Sequence, residues 1–101
     1  QLIYTGKPIK AEEALRMGLV NAIYEQSELM NEAIKLADSI IANAPLAVAY
    51  AKDCINEEYD LCADEAIAYE SKLFGKCFAT KDQKEGMRAF LNKEKAVFKG
   101  E

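Results

Sequence analysis

Residues 27–43, SELMNEAIKLADSIIAN, decide the fold class of this chain. Their apolar residues recur every three to four positions, which is the spacing of one face of an α-helix. Ser27 is a favourable N-cap residue, so we expect a helix from there to about Asn43. The apolar stripe of this helix consists of Leu29, Met30, Ala33, Ile34, Ala37, Ile40 and Ile41.

Three further helices are predicted downstream. Pro45 suits the first turn of a helix that runs to about residue 56. A third long helix is expected over residues 60–77, and a fourth begins at Thr80, where Thr80 and Gln83 form a capping box. The inner side of the third helix is expected to carry Ala63, Ala66, Ile67, Leu73, Phe74 and Cys77.

The first 24 residues are less uniform. An apolar helical turn at the start is stopped by Gly6, and a short helix over residues 11–17 is capped by Gly18. Leu19–Tyr24, LVNAIY, is predicted to be a strand. Because no other segment reads as its partner, we expect the partner strand in a missing part of the protein or in another chain, so the sequence is interpreted as a fragment.

The composition indicates one globular, mainly α domain over residues 1–101. Half of the residues are hydrophobic and 30% are charged, while glycine (5) and proline (2) are scarce. No apolar run reaches the roughly 18 residues of a membrane span, so no membrane partner is expected. Three cysteines outside any CxxC motif favour reduced thiols and a cytoplasmic location.

The chain contains no histidine, which excludes a Ser-His-Asp triad and most zinc sites. No phosphate loop, dinucleotide fingerprint or nucleophile elbow is present either. The acids of residues 57–60 and 64–65 match no metal loop and are expected to favour helix starts. We therefore predict no metal site, no cofactor and no reaction from the residues alone.

Glu70 lies at helical spacing on the apolar stripe between Ile67 and Phe74. A partly buried carboxylate could act as a general acid or base. Pairing with a nearby lysine or backbone donor explains such a glutamate more often, and that structural interpretation is favoured.

The net charge of −4 is distributed unevenly, because residues 81–101 carry +2 and the remainder −6. Phe90, Lys93, Lys95, Phe98 and Lys99 interleave aromatic rings with lysines, as in sites that stack a base and bind a phosphate. The spacing alone favours Phe90 packed inward with the lysines in water, so no nucleic-acid partner is expected.

Several segments, in order along the chain, resemble the C-terminal portion of the crotonase (enoyl-CoA hydratase/isomerase) family. The most specific is residues 78–87, FATKDQKEGM, followed by Ala89-Phe90-Leu91 and Lys93. The others are residues 2–6 (LIYTG), 11–15 (AEEAL), 18–21 (GLVN), 42–45 (ANAP), 51–52 (AK), 55–56 (IN) and 70–74 (ESKLF).

The resemblance is nearest to short-chain hydratases, in particular bacterial 3-hydroxybutyryl-CoA dehydratases. It implies a parent enzyme of fatty-acid or butyrate metabolism that reversibly hydrates trans-2-enoyl-CoA. It also implies that the two catalytic glutamates and the oxyanion hole lie in a spiral core upstream of residue 1. Since no glutamate here matches them, Glu70 included, the chain would contain no catalytic residue and would be inactive alone.

The same resemblance implies that residues 1–101 are the helical C-terminal region that builds the trimer interface, with trimers often paired into hexamers. It also implies that Phe74, Phe90 and Lys93 border the adenine and phosphate of CoA when the core is present. Acyl-CoA would then bind only with that core. The expected partner is a further copy of the chain, in a dimer, trimer or hexamer.

Two other functions stay open at this point. One is a standalone helical module that associates with copies of itself and binds no ligand. The other is a nucleotide binder that uses its basic tail. Binding of free CoA, weakened by Lys93→Ala, would favour a ligand-lining role over pure assembly.

Overall fold

The structure is a computed structural model that describes all 101 residues. It contains six α-helices and no strand, which confirms the mainly α prediction: α1 (Leu2–Thr5), α2 (Ala11–Arg16), α3 (Leu29–Ile41), α4 (Pro45–Glu57), α5 (Ala63–Cys77) and α6 (Lys81–Asn92). The chain divides into two units, Gln1–Lys35 and Leu36–Glu101. No helix combines the length and the apolar character that crossing a membrane requires.

The first unit holds α1, α2 and the start of α3. Gly6 ends α1 with a φ of 59°, and Gly18 follows α2 with a φ of 76°. This left-handed conformation costs glycine little because it has no β-carbon. Both glycines therefore stop their helices as predicted. The buried residue of α2 is Ala14.

The predicted strand at Leu19–Tyr24 is wrong within this chain. Residues 19–21 form bends, and residues 22–24 have no regular secondary structure and no ladder partner. The Leu19 N–H group instead donates to the carbonyl of Ala14 at 2.8 Å, which completes the C-terminal cap of α2. The apolar, β-branched composition favours extended backbone, but a strand forms only where a second strand pairs with it. A partner strand outside these residues stays a prediction.

Helix α3 begins two residues later than predicted, at Leu29. The turn that precedes it is closed by the carbonyl of Glu25, which accepts the N–H groups of Glu28 and Leu29. The helix ends at Ile41, where the Asn43 amide donates to the carbonyl of Ser39 at 2.9 Å. No residue of α3 is buried, so the predicted apolar stripe is present but uncovered.

In the second unit, α4 and α5 pack against each other. Pro45 is the first residue of α4, as predicted, because its missing N–H group has no helical partner at that position. Helix α5 begins at Ala63 and not near residue 60. The carboxylate of Glu65 accepts the Cys62 main-chain N–H at 3.2 Å, and this cap fixes the start.

Helix α6 begins after Thr80, whose hydroxyl accepts the main-chain N–H of Gln83 at 3.1 Å. This bond is one half of the predicted capping box. The other half is absent, because the Thr80 N–H donates to the carbonyl of Cys77 and not to the Gln83 side chain. The helix ends at Lys93, the one non-glycine residue of the chain with a positive φ, at 55°. Residues 94–101, which we name the C-terminal strap, then return along α6. Asp82 and Ala89 are the buried residues of this helix.

Candidate functional site

The second unit contains an apolar groove of about 1060 Å³. Helices α4, α5 and α6 supply most of its lining, and Leu73, only 4% exposed, is its most buried hydrophobic member. Prominent lining residues are Leu46, Tyr50, Cys54, Ile67, Met87 and Phe98. The groove can accommodate apolar groups, because the lining offers few hydrogen-bonding partners.

Phe74 lines this groove, and 64% of the residue is exposed. Its ring meets the ring of Phe78 edge to face, with centroids 5.2 Å apart and planes at 67°. Such a contact restricts the orientation of both rings while leaving one face of Phe74 free. Phe74 therefore lies on the groove side of α5, as predicted, although this chain leaves most of it uncovered.

Phe90 and Lys93 lie together at the end of α6 and do not line the groove. The main-chain N–H of Lys93 donates to the carbonyl of Phe90 at 3.3 Å. Phe90 is 79% exposed, so the prediction that it packs inward is wrong. Its neighbour Ala89, at 2% exposure, takes the inner position, and the 100° step between consecutive helical residues turns Phe90 outward.

Glu70 also lines the groove, and its side chain makes no ion pair or hydrogen bond within the chain. Glu70 is exposed, so the interpretation as a partly buried carboxylate is wrong. The interpretation as a lysine-paired carboxylate is wrong as well, because Glu70 makes no ion pair. Burial, followed by the negative charge of Glu70, raises the pKa of the Cys54 thiol. Cys54 is consequently a neutral thiol near pH 7 rather than a thiolate nucleophile.

The acids around the start of α5 were predicted to lie at helix starts, and only some of them do. Glu57 is the last residue of α4 and Glu58 its C-cap, where the helix dipole does not favour a negative charge. Asp64 and Glu65 do lie in the first turn of α5, as predicted. No group of three potential ligands could hold a metal ion.

Part of the basic charge of residues 81–101 is neutralised locally. Arg88 pairs with Glu85 and with Glu94, and Lys81 pairs with Glu101 at 2.7 Å. Lys93 makes no ion pair, which leaves its ammonium group available. Of the three predicted ligand-lining residues, Phe90 and Lys93 are neighbours only along the main chain at the end of α6, and Phe74 lies in the groove.

Sequence patterns do not single out Asp82, which is only 3% exposed. An aspartate in the first turn of a helix is ordinarily explained by its favourable interaction with the positive end of the helix dipole. The informative signal was Gly86, since a mid-helix glycine suggests a close neighbour. That neighbour is the ring of Phe98 in the strap.

Comparison with known proteins gives one consistent result. The family model described as enoyl-CoA hydratase/isomerase matches residues 1–101. A short-chain-enoyl-CoA hydratase of Clostridium acetobutylicum is 53% identical over 95 residues, which are 94% of this chain and 36% of that protein. A crotonyl-CoA hydratase of Syntrophomonas wolfei is 48% identical over 98 residues, covering 97% of this chain and 38% of that protein.

Solved structures agree with these sequences. An enoyl-CoA hydratase from Bacillus anthracis superposes with a TM-score of 0.95 at 36% identity, covering 99% of this chain and 39% of that one. A putative enoyl-CoA hydratase/isomerase from Mycobacterium abscessus gives a TM-score of 0.89 at 37% identity, with 97% and 41% covered. The chain thus spans somewhat over a third of the length of the relatives that it matches.

Proposed function

The chain belongs to the enoyl-CoA hydratase/isomerase family, and on that premise we propose that it is the C-terminal helical part of an enzyme that reversibly hydrates trans-2-enoyl-CoA. The names of the two curated relatives support a short acyl chain, such as that of crotonyl-CoA. Within this enzyme the helices of the chain serve assembly and line the CoA site.

The observation that carries the proposal is the scarcity of a core. The buried hydrophobic residues are Ala14, Leu73 and Ala89, while the apolar stripe of α3 is uncovered. Covering a Leu, Ile or Phe side chain stabilises a protein by about 1.5–3 kcal/mol relative to leaving it in water. Faces of this kind are characteristic of surfaces that contact another part of a protein or another copy.

We place the chemistry in the part of the enzyme that this chain does not span. Hydration of an enoyl group requires an acid and a base within hydrogen-bond reach of the substrate. Glu70, an exposed carboxylate of the groove, has no ion-pair partner that orients it. The chain alone is therefore expected to be inactive, and its helices support a site built elsewhere.

Phe90 and Lys93 are proposed to contact CoA. An exposed aromatic ring can stack on adenine, and an ammonium group without an ion pair can bind a phosphate oxygen. Their joint position at the end of α6 supports this role. Phe74, held edge to face by Phe78, is proposed to border the same ligand from α5.

Association with further copies, as a dimer, trimer or hexamer, is part of the proposal. The uncovered stripe of α3 supports it, since Leu29, Met30, Ile34, Ile40 and Ile41 are all exposed along one helix. The second candidate function, a standalone self-association module, rests on the same stripe. The two candidate functions differ in one respect: only the first predicts CoA binding and enoyl-CoA hydration in addition to assembly.

The test uses a fusion protein, in which this chain replaces the matching region of the Clostridium acetobutylicum relative. The fusion should hydrate crotonyl-CoA, and Lys93→Ala or Phe90→Ala should raise its KM about tenfold, because each removes one contact worth roughly 1.4 kcal/mol. Lys95→Ala is the matched control, since Lys95 is exposed, lacks an ion pair and lies two residues further on.

The possible results separate the two candidate functions. Unchanged KM values in the Lys93→Ala and Phe90→Ala variants would remove the ligand-lining role. A fusion of the correct oligomeric mass by light scattering but without activity would favour the self-association module. A monomeric, active fusion would instead remove assembly from the proposal.

A further inference from the structure

The C-terminal strap is fastened to the start of α6 by main-chain groups. The N–H groups of Lys99 and Gly100 each donate to one oxygen of the Asp82 carboxylate, both at 2.7 Å. In return, the carbonyl of Glu101 accepts the N–H groups of Lys81 and Asp82 at 2.7 and 3.0 Å. These four bonds join a segment without regular secondary structure to the first turn of a helix.

Asp82 is the central group of this attachment. Its carboxylate is buried, and the two strap N–H groups are its hydrogen-bond donors. Hydrogen bonds to an ionised acceptor are stronger than those between neutral groups, and a buried carboxylate without donors is costly. The attachment therefore depends on one side chain more than on any other.

The remaining side-chain contacts of the strap are weaker because they are exposed. The N–H of Val97 donates to Glu85 at 3.1 Å, Glu94 pairs with Arg88, and Lys81 pairs with Glu101 at 2.7 Å. Exposed ion pairs of this type contribute little to stability. They guide the strap along α6 without being able to hold it in place alone.

The strap also forms part of the apolar groove. Phe98 lines the groove and contacts α6 at Gly86, where its ring approaches the helix backbone closely. Gly100 lies near the ring of Pro45, the first residue of α4. The strap thus extends from α6 toward the start of α4, and the ring of Phe98 is its contribution to the wall of the groove.

Helix α6 does not depend on the strap for its own start. The Thr80 hydroxyl caps the helix through Gln83, and water can satisfy the N–H groups that the strap would release. A segment without regular secondary structure, held at the edge of a stable helix by four hydrogen bonds and one aromatic ring, is the kind of element that opens by local unfolding.

We propose that residues 94–101 are a strap that opens and closes one wall of the apolar groove, and that Asp82 is the latch that holds it closed. Opening breaks the two bonds to Asp82 and the two that the Glu101 carbonyl accepts, moves Phe98 away from Gly86 and exposes the interior of the groove. This step requires no change in α5. It does not rest on the proposed activity, because it concerns only the second unit of the chain.

Hydrogen exchange measured by mass spectrometry on the fusion protein tests the latch. Asp82→Asn should accelerate exchange of residues 97–101 by about tenfold or more, since an amide supplies one neutral acceptor in place of two charged ones. Hydrogen exchange within α5 should stay unchanged. It serves as the control that the fold of the unit persists in the variant. Asp64→Asn is the matched control, because Asp64 holds the same second position in α5.

A second measurement tests the groove wall. Cys54 and Cys77 line the groove, whereas Cys62 is exposed outside it and serves as an internal standard. Asp82→Asn should raise the rate of alkylation by iodoacetamide at the two groove thiols relative to Cys62. Unchanged relative rates would overturn the claim that the strap is a wall of the groove.

Three exchange results would overturn the latch. The strap of the unsubstituted protein could exchange as fast as an unstructured peptide. Asp82→Asn could leave its exchange unchanged. The substitution could also accelerate hydrogen exchange in α5 and in the strap equally. Asp82 would then stabilise the whole unit and would not be a latch.

Discussion

A β-carbon at Gly86 would stand 3.4 Å from Cε1 and 3.6 Å from Cζ of Phe98. Glycine inside a helix costs about 1 kcal/mol relative to alanine, so its presence in α6 calls for a compensating contact. The ring of Phe98 is that contact. The missing side chain allows the strap to lie directly on the helix.

Substitution of Gly86 should depend on the size of the new side chain. Gly86→Ala should be neutral or stabilising by up to about 1 kcal/mol, because its methyl group only just reaches Phe98 and alanine favours the helix. Gly86→Leu should displace the ring and free the strap. Thermal unfolding and hydrogen exchange of residues 97–101 in the fusion protein measure both effects, and equal behaviour of the two variants would contradict the proposed contact.

Glu85 should make the stability of the second unit depend on pH. The side chain of Arg88, and then the main-chain N–H of Val97, lower the pKa of this carboxyl from 4.5 to about 2. Because the pKa is lower in the folded state, its contribution is present above about pH 4.5 and is lost as the pH falls toward about 2.

The measurement is the difference in stability between the unsubstituted fusion and its Glu85→Gln variant. That difference should be constant near neutral pH and should shrink between about pH 4.5 and 2. The variant Glu12→Gln is the control, since Glu12 is exposed and makes no ion pair. A stability difference that grows on acidification would contradict a pKa of Glu85 that is lower in the folded state than in the unfolded state.

Lys93 combines a left-handed backbone with an exposed cation, and two substitutions separate these properties. Lys93→Gly should stabilise the end of α6 by about 1 kcal/mol, because glycine adopts a φ of 55° without the steric cost of a β-carbon. Lys93→Ala retains that cost and removes the same charge. Both variants should raise the KM for crotonyl-CoA alike, while only the glycine variant should raise the melting temperature.

Local sequence patterns predict the ends of helices but not the pairing of strands. Pro45, Thr80 and Gly18 define helix ends through their own backbone or side-chain chemistry, and each prediction from them is confirmed. The strand at Leu19–Tyr24 was wrong because pairing depends on a second strand, which no local pattern supplies.

The candidate site was less predictable than the helices. Phe90 was expected to face inward because aromatic residues usually supply the core, yet the small Ala89 occupies that position. The bond between Asp82 and the strap joins residues 17 and 18 positions apart, so helical periodicity could not reveal it. A glycine inside a helix suggests a close contact, but Gly86 alone does not reveal which residue makes that contact.

The most direct test of the central claim is hydration of crotonyl-CoA by the purified 101-residue chain, measured beside the fusion protein. The proposed function predicts no detectable hydration by the chain alone and clear hydration by the fusion, because the acid and base lie in the part that only the fusion contains. Hydration by the isolated chain would contradict the account, since its own residues would then have to supply the chemistry.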